Sequence, residues 1–154
     1  MKSAIVYHSE HHGNTKRVVD AMACESQVDL IDADVGLVDL SGYDLVGFAS
    51  GIYFSKFNDS VMRFARELDL GGKDVFLAFT SGFRKDYTEV IRHLLETNGA
   101  KVIGTFSCLG HDTFGPFKLV GGLAKGHPDG NDLERAREFF RGMLEKAGAT
   151  PEGV

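Results

Sequence analysis

Short apolar runs and longer stretches of helical periodicity alternate along the whole chain. Five of the runs are brief and rich in Val, Ile, Leu, Ala and Phe, which is typical of buried strands. They predict strands at Ser3–Tyr7, Val28–Ile31, Asp44–Ala49, Asp74–Phe79 and Lys101–Phe106.

Four other stretches carry apolar residues at helical spacing, such as Val61, Phe64 and Leu68. They predict helices at Asn14–Cys24, Asn58–Leu68, Asp86–Asn98 and Asn131–Ala147. Strands that alternate with helices are typical of an α/β fold with a parallel sheet. We therefore predict a doubly wound sheet of five parallel strands with helices on both faces.

Two segments do not follow this alternation of strands and helices. The acidic stretch Asp32–Leu40 indicates a short or broken crossover, and Cys108–Gly130 has no periodicity. Irregular loops as long as the second segment are uncommon unless they have a function. We expect residues 1–154 to form a single domain, with residues 148–154 as a frayed tail.

Composition narrows the class of protein. The chain has 154 residues, 43% hydrophobic and 25% charged, as in ordinary globular domains. Its net charge of −5 argues against nucleic-acid or anionic-membrane binding. It suits either a carrier that docks on basic patches or an ordinary acidic surface. We expect no signal peptide and no membrane insertion, and two cysteines without metal-ligand spacing favour a reducing cytoplasm.

The segment after the first strand has the features of a phosphate-binding loop. Gly13 allows close approach of the backbone to a ligand, and Ser9, Asn14 and Thr15 supply neutral donors. The free amides and the dipole of the following helix favour a dianion at the same place. Neither GxGxxG nor GxxxxGK[ST] is present, so this loop lacks the dinucleotide and NTPase fingerprints.

The run Ile5–Ser9 followed by Gly13-Asn14-Thr15 resembles the FMN-phosphate signature of the flavodoxin family. The resemblance extends over nearly the whole chain in element order. It implies bound FMN and the strand order 2-1-3-4-5. The loop departs from the usual form by one extra residue between Ser9 and Gly13, and which of Glu10, His11 and His12 meets the phosphate stays open.

His8, His11 and His12 allow three interpretations. Three imidazoles within five positions can coordinate a metal, but apart from Glu10 the loop adds no carboxylate or cysteine at useful spacing. Two of the histidines can be solvated loop residues. At least one can donate hydrogen bonds to the phosphate, so we include His11 and His12 among the cofactor-binding candidates and predict no metal site.

Two further loops provide candidates for holding the flavin ring, which needs apolar walls and a few polar groups. In flavodoxins the loop after the third strand contacts the ring edge, and a glycine there reorients its peptide. Gly51 resembles that glycine, and Tyr53 or Phe54 resembles the stacking residue. Phe54 and Phe57 can instead only anchor the next helix. The ring candidates are Ser50, Gly51, Ile52, Tyr53 and Phe54, followed by Thr80, Ser81, Gly82 and Phe83 after the fourth strand.

The segment after the fifth strand is dense in glycine and proline. The stretch from Gly110 to Lys118 can cover the flavin edge or contribute to an oligomer contact. Lys125-Gly126-His127-Pro128 is best interpreted as a turn into the last helix. Cys108 is expected to be a small buried hydrophobe.

Related folds with other chemistry are excluded by the loop residues. A phosphoacceptor domain needs an Asp where Ser50 stands, and a low-molecular-weight phosphatase needs a Cys at the start of the first loop. We predict an FMN-dependent electron carrier that serves redox partner proteins and can form a homo-oligomer. The alternatives are a reductase that uses NAD(P)H and a quinone or flavin, and an interaction module without cofactor.

Overall fold

The computed structural model describes residues 1–10, 13–24, 26–110 and 124–148. Its strands are β1 Ser3–His8, β2 Val28–Asp32, β3 Leu45–Tyr53, β4 Lys56–Phe57, β5 Asp74–Ser81 and β6 Lys101–Leu109. The five predicted strands are confirmed, and most extend further at their carboxyl ends. The tail beyond residue 148 and most of the irregular segment after β6 lie outside the described residues.

The helices are α1 Asn14–Ala23, α2 Asp59–Glu67, α3 Glu89–Thr97 and α4 Gly130–Gly148. All four predicted helices are confirmed. The predicted start of the third helix at Asp86 is wrong, because the Asp86 carboxylate accepts hydrogen bonds from the N–H and the hydroxyl of Thr88. This local turn precedes the helix, which begins at Glu89.

The main sheet is parallel and has the order β2-β1-β3-β5-β6. With the two-residue β4 left out, this is the predicted order 2-1-3-4-5. The chain passes from β2 to β3 through a 3₁₀ turn at Ala33–Val35 rather than through a helix. The Asp32 carboxylate caps this turn by accepting the N–H of Asp34, so the predicted short crossover is confirmed.

Helices cover both faces of the sheet. On one face, Val61 and Phe64 of α2 and Leu95 of α3 pack in a buried cluster with alternate strand residues. On the other face, Val18 of α1 and Phe140 of α4 belong to a second cluster. The sheet is thereby buried on both sides, which leaves the carboxyl edge of the strands for a ligand. None of the described helices is long and apolar enough to cross a membrane.

The prediction of a simple loop from Ser50 to Phe57 is wrong. β3 continues through Tyr53, and β4 pairs with it in antiparallel fashion, with Ile52 opposite Phe57. The turn between the strands has positive φ at Phe54 (51°) and Ser55 (67°). Such angles match the twist of a tight hairpin but are uncommon outside glycine and asparagine, so the sequence carries no obvious hairpin signal.

Candidate functional site

The carboxyl ends of β1, β3 and β5 surround a cavity of about 180 Å³. Three segments that are far apart in the sequence meet there, as expected at the edge of a parallel sheet where the strand order switches. The lining residues are Glu10, Asn14, Thr15, Gly51, Ile52, Tyr53, Phe54, Thr80, Ser81, Gly82, Phe83, Tyr87 and Gly110.

One end of the cavity is formed by the start of α1. Gly13 has a left-handed backbone (φ 66°) that turns the chain from the loop into the helix. Ser9 reaches over this turn, and its Oγ accepts the N–H of Lys16 at 3.0 Å. Asn14 and Thr15, the first two helical residues, line the cavity. The positive end of the α1 dipole therefore faces it, and no carboxylate stands in the first turn of this helix.

Three segments are locked together beneath this end. The hydroxyls of Thr15 and Thr80 are both buried and lie 3.0 Å apart. The Gly110 N–H donates to the Ser81 carbonyl at 2.9 Å. A Cβ at Gly110 would lie 2.7 Å from the Asn14 amide nitrogen and 3.1 Å from Thr80 Cβ. A side chain at position 110 would therefore require the Asn14 side chain to move away from the end of β6.

Exposed aromatic rings form the walls of the cavity. Phe54 is 88% exposed and Phe83 is 52% exposed, and both line it. Large apolar side chains rarely remain this exposed in pairs around one cavity unless they contact a ligand or partner. Together with Ile52 and Tyr87 they provide the apolar surface that a flat ring requires.

A histidine bridge lies behind the cavity. The His8 side chain is buried, with Nδ1 2.9 Å from an Asp34 oxygen and Nε2 2.7 Å from a Glu10 oxygen. Its ring makes an edge contact with Tyr53 at a centroid distance of 5.6 Å. Burial raises the pKa of Tyr53 to about 12, and the negative charges of Glu10 and Asp34 act in the same direction.

A family model described as a flavodoxin domain matches residues 4–112. The chain belongs to the flavodoxin family. It is 37% identical over 149 residues to an uncharacterized protein of Methanocaldococcus jannaschii, which covers 94% of this chain and 99% of the relative.

Solved flavodoxin structures share its fold. A Fusobacterium nucleatum flavodoxin bound to flavin mononucleotide superposes with a TM-score of 0.68 at 12% identity, covering 95% of this chain and 99% of the other. The apo form of an NADH:FMN oxidoreductase gives 0.65 at 16% identity, covering 98% and 92%. At these identities the likenesses show a shared fold, the flavodoxin fold.

Most of the flavin-site candidates predicted from the flavodoxin pattern converge. Ten line the cavity: Asn14, Thr15, Gly51, Ile52, Tyr53, Phe54, Thr80, Ser81, Gly82 and Phe83. Ser9 and Gly13 shape the adjoining turn without lining it. His11 and His12 lie outside the described residues. For all of these candidates, contact with a cofactor stays a prediction.

Ser50 is not brought into the cavity. It is fully buried, its hydroxyl donates to the Gly51 carbonyl at 2.5 Å, and its Oγ accepts the Asn58 N–H at 2.9 Å. Asn58 in turn caps α2 by accepting the Ser60 N–H. Ser50 thus ties β3 to the start of α2.

Three cavity residues were not singled out as ligands by the sequence pattern. The sequence leaves open whether Glu10 meets the phosphate, places Gly110 in a stretch that can cover the flavin edge, and predicts that Tyr87 belongs to a helix. The sequence offers one signal for Glu10 and Gly110, which is that each closely follows the carboxyl end of a strand. The contact between His8 and Asp34 spans 26 positions and has no local signature.

The segment before α4 is a turn, as predicted for Lys125–Pro128, with the His127 N–H donating to the Ala124 carbonyl. His127, Asp129 and Asp132 have potential metal-ligand atoms within 4.8 Å of one another. Burial opposes ionisation of Asp132, but hydrogen bonds from His127, the Asp129 N–H and Arg135 outweigh it and lower its pKa to about 2. The Arg135 guanidinium lies 2.7 Å from the Asp132 carboxylate. The three residues His127, Asp129 and Asp132 are therefore better explained as the cap of α4 than as a metal site.

The cysteines differ in environment. Cys108 is buried, as predicted, and burial raises the pKa of its thiol to about 12. Cys24 is exposed at the end of α1. A buried thiol that stays protonated at neutral pH is a poor nucleophile, so Cys108 is a structural residue.

Proposed function

We propose that the chain binds FMN and carries electrons between redox partner proteins. The observation that carries this proposal is the cavity in which the start of α1, the β3–β4 hairpin and the end of β5 meet between the exposed rings of Phe54 and Phe83. A phosphate suits the helix start, and a flat apolar ring suits the aromatic walls.

The residues that would hold the phosphate are neutral. Asn14 and Thr15 present the first turn of α1, Gly13 lets the backbone approach, and Ser9 fixes the turn through its bond to the Lys16 N–H. Their preorganisation reduces the entropy lost on binding. His11 and His12 complete this proposed set. The close packing of Gly110 on Asn14 and Thr80 fits a cradle held to one geometry.

Bound FMN would supply the redox chemistry, and the protein would tune it. The backbone of Gly51, Ile52, Gly82 and Ser81 lines the cavity and offers donors and acceptors to the polar edge of a ring. Tyr53, Phe54 and Phe83 would exclude water from the ring faces. The high exposure of Phe54 and Phe83 leaves the ring edge reachable by a partner protein, which favours a carrier.

A flavin reductase is the second candidate. It is supported by the structural likeness to an NADH:FMN oxidoreductase. Such an enzyme would take electrons from NAD(P)H and pass them to a quinone or a free flavin. The short chain offers no evident nicotinamide-binding motif, so we place the carrier first.

The cofactor is tested by the absorbance spectrum of the purified protein before and after addition of FMN. If the chain binds FMN, the purified protein should be yellow, or it should be colourless and take up one FMN per chain. The chain contains no tryptophan, so flavin fluorescence is not complicated by energy transfer from indole. A colourless protein that leaves FMN fluorescence unchanged would favour the interaction module instead.

Carrier and reductase are then separated by steady-state kinetics with NAD(P)H and a quinone. If the protein is a carrier, NAD(P)H should reduce its FMN slowly, and turnover should not be sustained unless a partner reductase is added. Fast turnover by this protein alone would contradict it and support the reductase.

Sedimentation with and without FMN would test the proposed homo-oligomer.

A further inference from the structure

A second cavity, of about 360 Å³, adjoins the first. It lies between the segment that leads from β5 to α3, the first turns of α3 and the edge strand β6. It shares Ser81 and Phe83 with the flavin cavity. The other lining residues are Phe79, Arg84, Lys85, Asp86, Thr88, Arg92, Thr105, Ser107, Cys108 and Leu109.

Cations dominate this second cavity, although the chain has a net charge of −5. Arg84, Lys85 and Arg92 line it, and none of them forms an ion pair with any residue in the described ranges. The one carboxylate there, Asp86, accepts two hydrogen bonds from Thr88. The charge of Arg92 also helps to lower the pKa of Asp86, so this carboxylate offsets one of the three positive charges. The remaining positive charge favours an anionic ligand.

The polar groups are also preorganised. The Arg92 guanidinium donates to Thr105 Oγ1 at 2.9 Å, which holds its planar fork at the cavity wall. Ser107 lies two positions further along β6, so both hydroxyls stand on the same face of the edge strand. Phe79 and Phe83 add ring surface beside these groups. Guanidinium forks and hydroxyls next to an apolar wall suit a phosphate attached to a flat ring.

We propose that this cavity binds the phosphate end of a nucleotide. Because it shares Phe83 with the flavin cavity, a nucleotide held here extends toward the place of the flavin ring. This inference rests on the proposed FMN function for its redox meaning, where a nucleotide-linked electron donor bound beside the ring would favour the second candidate, the flavin reductase, over the carrier. Binding of the nucleotide itself does not depend on FMN.

The test is calorimetric titration of the FMN-treated protein with ADP, pyrophosphate and adenosine. We expect ADP and pyrophosphate to bind and adenosine to bind at least tenfold more weakly, with ADP affinity falling as salt rises. Arg84→Gln and Arg92→Gln should each weaken ADP about tenfold, since each removes a charged hydrogen-bonding group. The matched control Arg137→Gln lies on α4, away from this cavity, and should leave ADP binding unchanged.

The outcomes separate this inference from the FMN proposal. FMN uptake with no ADP binding, or with equal ADP affinity in all three variants, would overturn the inference alone. Absence of FMN uptake with ADP binding that Arg84→Gln weakens would overturn the FMN proposal and keep the nucleotide site. Arg84 is exposed, so its replacement is not expected to disturb folding, and circular dichroism of each variant checks this.

Discussion

The two sides of the candidate site present different chemical groups. On the α1 side, a helix start and neutral hydroxyl and amide groups line the cavity together with the Glu10 carboxylate, and both Glu10 and Asp34 contact His8. On the β5–α3 side, Arg84 and Arg92 bring positive side chains to the adjoining cavity. An anion on the first side depends on backbone dipoles, whereas one on the second depends on guanidinium charge. The two proposals together place two distinct anion sites along the carboxyl edge of the sheet in a protein with a net charge of −5.

The largest expected effect comes from a negative charge at the start of α1. Asn14→Asp should weaken FMN binding by about 2 kcal/mol, or roughly 30-fold, because a carboxylate about 4 Å from a dianion is repelled even in water-like dielectric. The same change should slightly stabilise the protein without FMN, because an acidic group suits a helix N-terminus. Fluorescence titration and thermal unfolding measure the two quantities.

The matched control is Asn131→Asp, the same change in the first turn of α4. It should also stabilise the protein slightly but leave FMN affinity unchanged. If both variants bind FMN like the original chain, the phosphate does not lie at the start of α1.

The second effect concerns the aromatic wall. Phe54→Asn should weaken FMN about fivefold, since it removes ring contact worth about 1 kcal/mol. Asparagine tolerates the positive φ of this turn, so the hairpin should remain. Val35→Asn is a control, because Val35 is 84% exposed and does not line the cavity. Equal FMN affinity in both variants would place the ring elsewhere.

Sequence patterns predicted the framework better than the fine structure of the site. The strands and helices follow from apolar periodicity, and the three ligand segments follow from where parallel strands end. The β3–β4 hairpin was missed because Phe54 and Ser55 adopt positive φ without glycine or asparagine. The contact of His8 with Asp34 was missed because it depends on how β1 and β2 align, and no local pattern encodes that register.

A smaller effect is expected on the α1 side of the site, near the carboxylates of Glu10 and Asp34. Ultraviolet titration should show a late step near pH 12 that belongs to Tyr53. The pKa of Tyr43 is also raised, by its hydrogen bond to Asp29. The fold favours its neutral form, so this stabilisation is present below about pH 10 and is lost as the pH rises through 12. Glu10→Gln should lower the pKa of Tyr53 in part, because burial remains the main cause. Tyr53→Phe should abolish that late step; its persistence would assign it to another tyrosine.

The smallest effect lies at the basic side, where Cys108 lines the second cavity. At pH 8 iodoacetamide should label exposed Cys24 and spare Cys108, whose thiol stays protonated, until the protein is unfolded. Mass spectrometry of the native and denatured protein counts the labels. Two labels on the native protein would show that Cys108 is open to solvent.

We propose that a phosphate at the start of α1 and a flavin ring between Phe54 and Phe83 belong to one ligand, FMN. The most direct test is titration of the protein freed of flavin with FMN and with riboflavin, which has the ring but no phosphate. We expect one FMN to bind per chain and riboflavin to bind at least about 30-fold more weakly. The substitution Asn14→Asp should narrow the difference between the two affinities. Equal affinity for the two flavins would contradict this proposal.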